Sequence, residues 1–228
     1  MFGLRRRFAE FRSFWVKRRG VFPRQCPICD FKGLFTAFGD PPRWDAKCPS
    51  CGSLERHRLL ALYLAKHPVS GRVVHFAPEP AMRDLLKPMA SEYQSADLLN
   101  PADLVLNIEN IGLPDESVNV FVASHVLEHV DDARALSEMQ RCLRPGGKLI
   151  LMVPIIEGWA TSYENPAAVT TAERTLHFGQ WDHVRFYGRD FRDRVKSAGF
   201  SLAEYSASGE ECVRFALSRG ESVFVAAI

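Results

Sequence analysis

Four cysteines stand in two C-x2-C pairs, Cys26-Pro-Ile-Cys29 and Cys48-Pro-Ser-Cys51, with 18 residues between the pairs. A structural zinc ion takes four soft ligands at the corners of a tetrahedron, and a C-x2-C turn supplies two of them at the right separation. Gly52, directly after the second pair, permits the tight turn that aims backbone N–H groups at sulfur. Two disulfides or a redox C-x-x-C would use the same residue type, but a redox pair seldom comes matched within so short a window. The pattern therefore predicts a metal centre on Cys26, Cys29, Cys48 and Cys51. Zinc is favoured over iron because nothing in the sequence suggests electron transfer. Cys142, on a predicted helix, and Cys212, near a predicted strand, read as packing residues.

The elements around the pairs follow from composition and periodicity. Residues 31–38, a turn at 39–42 and residues 44–47 suit a hairpin, so 21–53 reads as a small zinc-ribbon-like module. It runs without a Pro/Gly/Ser linker into a helix near 54–67, the expected entry helix of a larger domain over 54–228 and a sign of rigid fusion. Ahead of the module, Leu4, Phe8, Phe11 and Trp15 fall on one helical face over 1–20. Residues 1–24 carry eight Lys or Arg against one acid, Glu10, although the whole chain has a net charge of only +2. A basic amphipathic helix suits contact with an anionic membrane surface, favoured here over nucleic acid because the apolar face is strong. No apolar run spans a bilayer and no signal-peptide core follows the basic start, so the expected location is the cytoplasm, with membrane association through that helix.

From residue 72 onward strands and helices alternate. Strands are predicted at 72–77, 93–98, 103–107, 118–124, 148–154, 201–205 and 222–226. Val118 to Ser124 is a nearly unbroken apolar run of the kind a central parallel strand shows. A helix opened by Asp131 or Asp132 carries Leu136, Met139 and Leu143 on one face and is read as closing at Pro145-Gly146-Gly147; Phe191, Val195 and Ala198 mark a later one. This alternation predicts an α/β, doubly wound, mostly parallel seven-stranded sheet. Residues 155–187 hold Trp159, Tyr163, Phe178, Trp181, Phe186 and Tyr187 and the polar run His177 to Arg185. Such an insertion over the strand ends is where these folds hold substrate, with Asp182 or Arg185 as anchors for a sugar, carboxylate or phosphate; a cap packed by its own aromatics weighs evenly against it.

The stretch LPDESVNVFVASHVLEHV at 113–130 and RCLRPGGKLILMVP at 141–154 resembles the class I S-adenosylmethionine-dependent methyltransferases, the Rossmann-like family, over roughly 71–228. The order, with the cysteine pairs, CGSLERHR and FGQWDHVRFYG, is also similar to a group of bacterial proteins labelled methyltransferases. The resemblance implies S-adenosylmethionine as cofactor beside a structural zinc ion. It places Asp97 on the ribose hydroxyls, Asn107 and Ile108 against adenine, and Ser124 and His125 beside the sulfonium. After the first strand the family carries an acid and a glycine-rich turn; this sequence has His75, Ala77, Pro78 and Glu79 there. Ala77 and Glu79 are thus expected in an altered cofactor loop, with Glu79 near the cofactor amino group.

Methyl transfer to a hydroxyl is helped by a base, and histidine titrates in the useful range. His125, His129 and His183 are the candidates for catalysis, with His177 considered beside them. The reading is a methyltransferase acting on a small molecule or saccharide, at oxygen. The alternatives are an RNA or protein methyltransferase that uses the metal module as reader, and a non-catalytic binding protein on a degenerate methyltransferase fold.

Overall fold

The computed structural model describes residues 19–39 and 41–228. The helix expected over 1–20 lies outside these residues except for Arg19, which bridges Thr36, and Gly20, whose N–H donates to the Phe35 carbonyl at 2.8 Å. Among the described residues no helix is long and apolar enough to cross a membrane. The chain divides into two compact units, 1–66 with 206–221, and 67–205 with 222–228. This division differs from the boundary expected at 53/54, because the entry helix and a C-terminal segment belong with the cysteine module.

In the first unit β1 (Arg24–Gln25) pairs with β2 (Lys32–Gly33), and β3 (Thr36–Phe38) pairs antiparallel with β4 (Arg43–Lys47). The helix α1 (Glu55–Lys66) follows. Its Arg58 explains the division. The guanidinium is fully buried and donates to the carbonyls of Ala46, Ser53, Phe215 and Ala216, so helix, hairpin and C-terminal segment share one charged hub.

The second unit is built on a seven-stranded sheet of β5 (Arg72–Phe76), β6 (Glu92–Asp97), β7 (Leu104–Val105), β8 (Val118–Ser124), β9 (Leu143–Met152), β12 (Ser201–Ser206) and β13 (Ser222–Ala227), while β10 (Tyr163–Glu164) and β11 (Arg185–Phe186) form a separate antiparallel pair. Their order across the sheet is β12-β13-β9-β8-β5-β6-β7. The strands β5, β6, β7, β8 and β9 run parallel, and β13 is antiparallel to β9. This is the doubly wound, mostly parallel sheet that the alternation predicts. The central strand β8 is buried at six of its seven positions, as its apolar run requires. The helices are α2 (Pro80–Leu86), α3 (Asp132–Cys142), α4 (Thr171–Phe178) and α5 (Phe191–Ser197) in this unit, and α6 (Gly209–Phe215) in the other. Asp131 caps α3 by accepting from Arg134 N–H, and Leu136 and Met139 bury their side chains in the core, roughly 1.5–3 kcal/mol each.

Two local readings change. Pro145-Gly146-Gly147 is not a helix-ending turn: α3 stops at Cys142 and the chain enters β9 directly at Leu143, which pairs with Val118 across a register shift. Pro145-Gly146-Gly147 falls in that register shift, between the paired residues Leu143 and Lys148, with Gly146 left-handed at φ +76°. Cys212 lies on α6, not near a strand, whereas Cys142 is buried in the core as read. The helices α4 and α6 were missed, although both announce themselves by capping boxes, Thr170 with Glu173 and Ser208 with Glu211.

Candidate active site and metal centre

The register of the parallel strands brings the sequence candidates into one row. Phe76 is paired with Ala96 on one side and Ala123 on the other. One residue further along, Ala77, Asp97 and Ser124 therefore stand side by side at the carboxyl ends of β5, β6 and β8. β5 and β8 are the strands where the winding reverses, and in open α/β sheets the crevice at that reversal is where ligands bind.

Each position has a physical signature. Ala77 adopts φ +45°, a left-handed conformation normally left to glycine, and its N–H donates to the Ala96 carbonyl at 2.9 Å. Alanine thus keeps the turn that glycine would make. Glu79 precedes α2 as its N-cap, with Pro80 in the first turn. Burial works against the Asp97 carboxylate, but the N–H groups of Asn100 and Leu99, each 2.8 Å from Oδ1, outweigh it and hold the carboxyl below its ordinary range. The Ser124 hydroxyl is buried with no hydrogen-bond partner. Asn107 is exposed and its side chain accepts from Glu109 N–H, whereas the Ile108 side chain is part of the hydrophobic core. Any contact of Ile108 with a ligand therefore has to come from its backbone.

The chain leaves β8 at His125, which has φ +56° and donates its N–H to the Met152 carbonyl. A 3-10 turn, Leu127–His129, follows. His125 Nδ1 stands 3.2 Å from a carboxylate oxygen of Glu128. The insertion delivers the third histidine. Val184 N–H donates to the Glu128 carbonyl at 2.9 Å, and the rings of His129 and His183 meet edge to face at 4.6 Å. Asp182 lies 3.2 Å from His129 Nδ1. Burial holds His183 below the ordinary imidazole value, against the pull of Glu128. The structure thus brings His125, His129 and His183 together, with His125 directly after the row of Ala77, Asp97 and Ser124. His177 is elsewhere in the insertion, bonded to Tyr163 Oη at 2.6 Å and to Asn165.

Sequence reasoning missed Glu128, which is completely buried at the centre of this group. The spacing His125-x-x-Glu128-His129 was the available signal. Arg185, read as a substrate anchor, is instead committed to structure. It is buried, donating to the Leu127 and Val130 carbonyls at 2.9 and 2.7 Å and to Glu164 at 2.7 Å. Tyr187 completes that anchor by donating to Asp132 at 3.0 Å. The aromatics Trp159, Tyr163, Phe178 and Phe186 pack on one another with centroids 5.8–6.5 Å apart, so much of the insertion is a self-packed cap. A polar cavity of about 460 Å³ remains, lined by residues that include Glu109, His129, Asp131, Glu164 and Arg194.

In the first unit the four cysteines converge. Cys26 and Cys51 sulfurs are 3.6 Å apart and those of Cys29 and Cys48 3.7 Å, and none is in a disulfide. A tetrahedron with metal–sulfur bonds of about 2.3 Å has edges of about 3.8 Å, so the set fits one ion. Each knuckle closes on a left-handed residue, Asp30 (φ +57°) after the first and Gly52 (φ +73°) after the second.

Comparison with known proteins agrees with this architecture. Residues 50–151 match the family model described as "Methyltransferase domain". Three curated mycobacterial proteins, one from Mycobacterium bovis and two from strains of Mycobacterium tuberculosis, each described as an uncharacterized methyltransferase, are 40% identical over 80 residues. That stretch is 35% of this chain, and the chain spans only 30% of the length of each relative. Among solved structures, the YcgJ protein of Bacillus subtilis superposes with a TM-score of 0.53 at 14% identity, covering 75% of this chain and 98% of that one. The 1,6-didemethyltoxoflavin-N1-methyltransferase of Burkholderia thailandensis, solved with S-adenosylhomocysteine, gives 0.52 at 12% identity over 74% of this chain and 76% of that one. An S-adenosylmethionine-dependent methyltransferase from Archaeoglobus fulgidus gives 0.52 at 12% identity over 78% and 96%. At such identities the likeness speaks for the fold.

Proposed function

We propose that this chain, which carries a class I methyltransferase domain, is an S-adenosylmethionine-dependent methyltransferase acting at an oxygen of a small molecule or saccharide. The observation that carries the reading is the row Ala77, Asp97 and Ser124 at the winding reversal. It offers a glycine-like turn, an ionised carboxylate and a buried hydroxyl still in need of a partner. A cofactor with ribose hydroxyls and a charged amino-acid tail suits that set.

In this reading Asp97 accepts from the ribose hydroxyls, Asn107 and the Ile108 backbone meet adenine, and Glu79 faces the amino group. When bound, the cofactor supplies a methyl group on a sulfonium carbon. The chain's part is to hold the acceptor in line and to take its proton. His125, directly after Ser124, stands nearest the row in sequence, with His129 and His183 behind it. The cavity of about 460 Å³ bordered by His129 has the size of a small-molecule site and walls rich in carboxylates, which suit a hydroxyl-bearing acceptor. The four cysteines hold a structural zinc ion that orders the first unit.

Calorimetric titration of the full chain with S-adenosylhomocysteine tests the proposal. Stoichiometric binding, weakened at least tenfold in Asp97→Ala, is the expected result. Absence of binding heat together with absence of a thermal shift would leave a non-catalytic fold as the reading.

A further inference from the structure

A second group of ligand-type side chains stands outside the cysteine cluster. One donor atom each from Glu128, His129 and His183 lies within 4.8 Å of the other two. Three features set this group apart from an ordinary surface cluster. Glu128 is completely buried, and neither of its carboxylate oxygens accepts a hydrogen bond. Nδ1 of His183 is likewise buried without a hydrogen-bond partner. Leaving a carboxylate dry and without hydrogen bonds costs several kcal/mol, so such a group is expected to be neutralised by a partner. His125 Nδ1, at 3.2 Å from Oε1, reaches only one side of it.

The surroundings complete the pattern. Asp182 lies against His129 Nδ1 at 3.2 Å. A carboxylate on one imidazole nitrogen, with the other nitrogen turned to an ion, is how metal-binding histidines are oriented. The backbone is fixed independently of any ion: Val184 N–H is bonded to the Glu128 carbonyl, and Arg185 clamps the Leu127 and Val130 carbonyls. Residues 128–129 and 183 are thus held together by main-chain bonds, and their side chains converge on one point. Donor atoms about 2.1 Å from a common ion lie about 3.4 Å apart in a tetrahedral set, so from separations of up to 4.8 Å the side chains would close in by up to about 1.4 Å, within reach of side-chain torsions.

We propose that Glu128, His129 and His183 hold a divalent transition-metal ion, a second metal site distinct from the four-cysteine centre. Two imidazoles and one carboxylate suit the borderline ions zinc, iron, cobalt or nickel better than calcium. Three protein ligands leave open positions toward the polar cavity that His129 borders. His125, just outside the ligand set, keeps the role of proton acceptor. The assignment of that open side to an acceptor hydroxyl rests on the methyltransferase reading; the presence of the site does not.

Cobalt titration of the full metal-free chain, without cofactor, tests it. Thiolate ligation gives intense near-ultraviolet charge-transfer absorption, whereas a histidine–carboxylate site gives only weak visible bands. The wild-type chain is expected to take two equivalents, one with each signature. Glu128→Gln should take one, keeping the thiolate signature, and its far-ultraviolet dichroism reports whether the fold is intact. Asp182→Ala, a partly exposed change that leaves all three ligands in place, should weaken the second equivalent by about 10- to 100-fold. Saturation of the wild type at one equivalent, or two unaltered equivalents in both variants, would overturn the proposal. Because no cofactor is present, failure of S-adenosylhomocysteine binding would leave this result standing, and the reverse holds equally.

Discussion

Arg58 is the residue whose loss should be felt most in the first unit. Its guanidinium is fully buried and donates Nε to Phe215 O at 2.8 Å, Nη1 to Ser53 O at 2.7 Å and Ala46 O at 3.1 Å, and Nη2 to Ala216 O at 2.6 Å. It also lies over the Phe35 ring at 4.8 Å. Among the described residues its bonds go to backbone carbonyls and not to a carboxylate. Burial holds its pKa below the ordinary guanidinium value, and Glu55 and the cysteines Cys26, Cys48 and Cys51 oppose this only in part. Substituting Arg58→Met keeps much of the volume and removes every donor. Three bonds shorter than 3.0 Å to a charged donor represent about 1.5–3 kcal/mol each. Part of that sum is returned, because the guanidinium need no longer be desolvated, leaving a net loss of about 4 kcal/mol. For a unit of this size a urea slope of about 1–1.5 kcal/mol per molar turns that into a midpoint about 3 M lower. The assay is zinc release into a chromogenic chelator along a urea titration of the zinc-loaded chain, which reads the cysteine unit alone. Arg58→Lys keeps the charge but offers a compact head that cannot serve carbonyls on three sides, so it should recover less than half of the loss. A midpoint shift below about 0.5 M for the Met variant would refute the reasoning; full recovery by Lys would show that charge, not the fork, is what matters.

Three further outcomes follow from the second unit. Tyr187→Phe removes the hydroxyl that bonds Asp132 and the Leu127 carbonyl, and should cost about 1–3 kcal/mol, seen as a melting temperature lower by several degrees. Ala77→Gly should leave stability within about 1 kcal/mol, because relief of the left-handed φ is balanced by the freer unfolded chain, whereas Ala77→Val should be destabilising by more than about 1 kcal/mol in the same melt. Gly71 combines φ +78° with space that is already taken, since a Cβ there would meet the Asn119 carboxamide, whose Oδ1 accepts Arg72 N–H at 2.9 Å. Gly71→Ala should therefore lower stability by about 1–3 kcal/mol, with Asn119→Ala in the same background showing that part of the loss is shared.

The cysteine pairs were legible because C-x2-C spacing is a local property: two thiols three residues apart meet one ion whatever the rest of the chain does. The sheet was legible for a related reason. Val118 to Ser124 and Arg72 to Phe76 are apolar runs that only a strand covered on both faces accommodates. The Asp131 cap of α3 could be read from one side chain and the residues after it. The beginning of β9 could not, since Pro145-Gly146-Gly147 has the chemistry of a turn, and only the pairing of β8 with Leu143 and again from Lys148 shows it to be an irregularity inside a strand.

The candidate site divides the same way. The apolar run of 118–124 by itself ends a strand at Ser124, just before His125, whereas the place of Asp97 at a strand end follows from the family resemblance and not from the apolar pattern of 93–98. That Ala77, Asp97 and Ser124 form one row required the register, which depends on pairing between segments about 20 and 50 residues apart. Arg185 looked like a ligand anchor in sequence, because an arginine beside aromatics carries no mark of where its donors go. Tertiary structure turned it onto the Leu127 and Val130 carbonyls and so drew His183 against Glu128 and His129. A residue's type states what chemistry it can do, but burial and proximity state what it must do, and both are properties of the folded chain: Glu128 is one acid among 27 in the sequence and becomes the buried centre of a histidine cluster only when residues 128 and 183 meet.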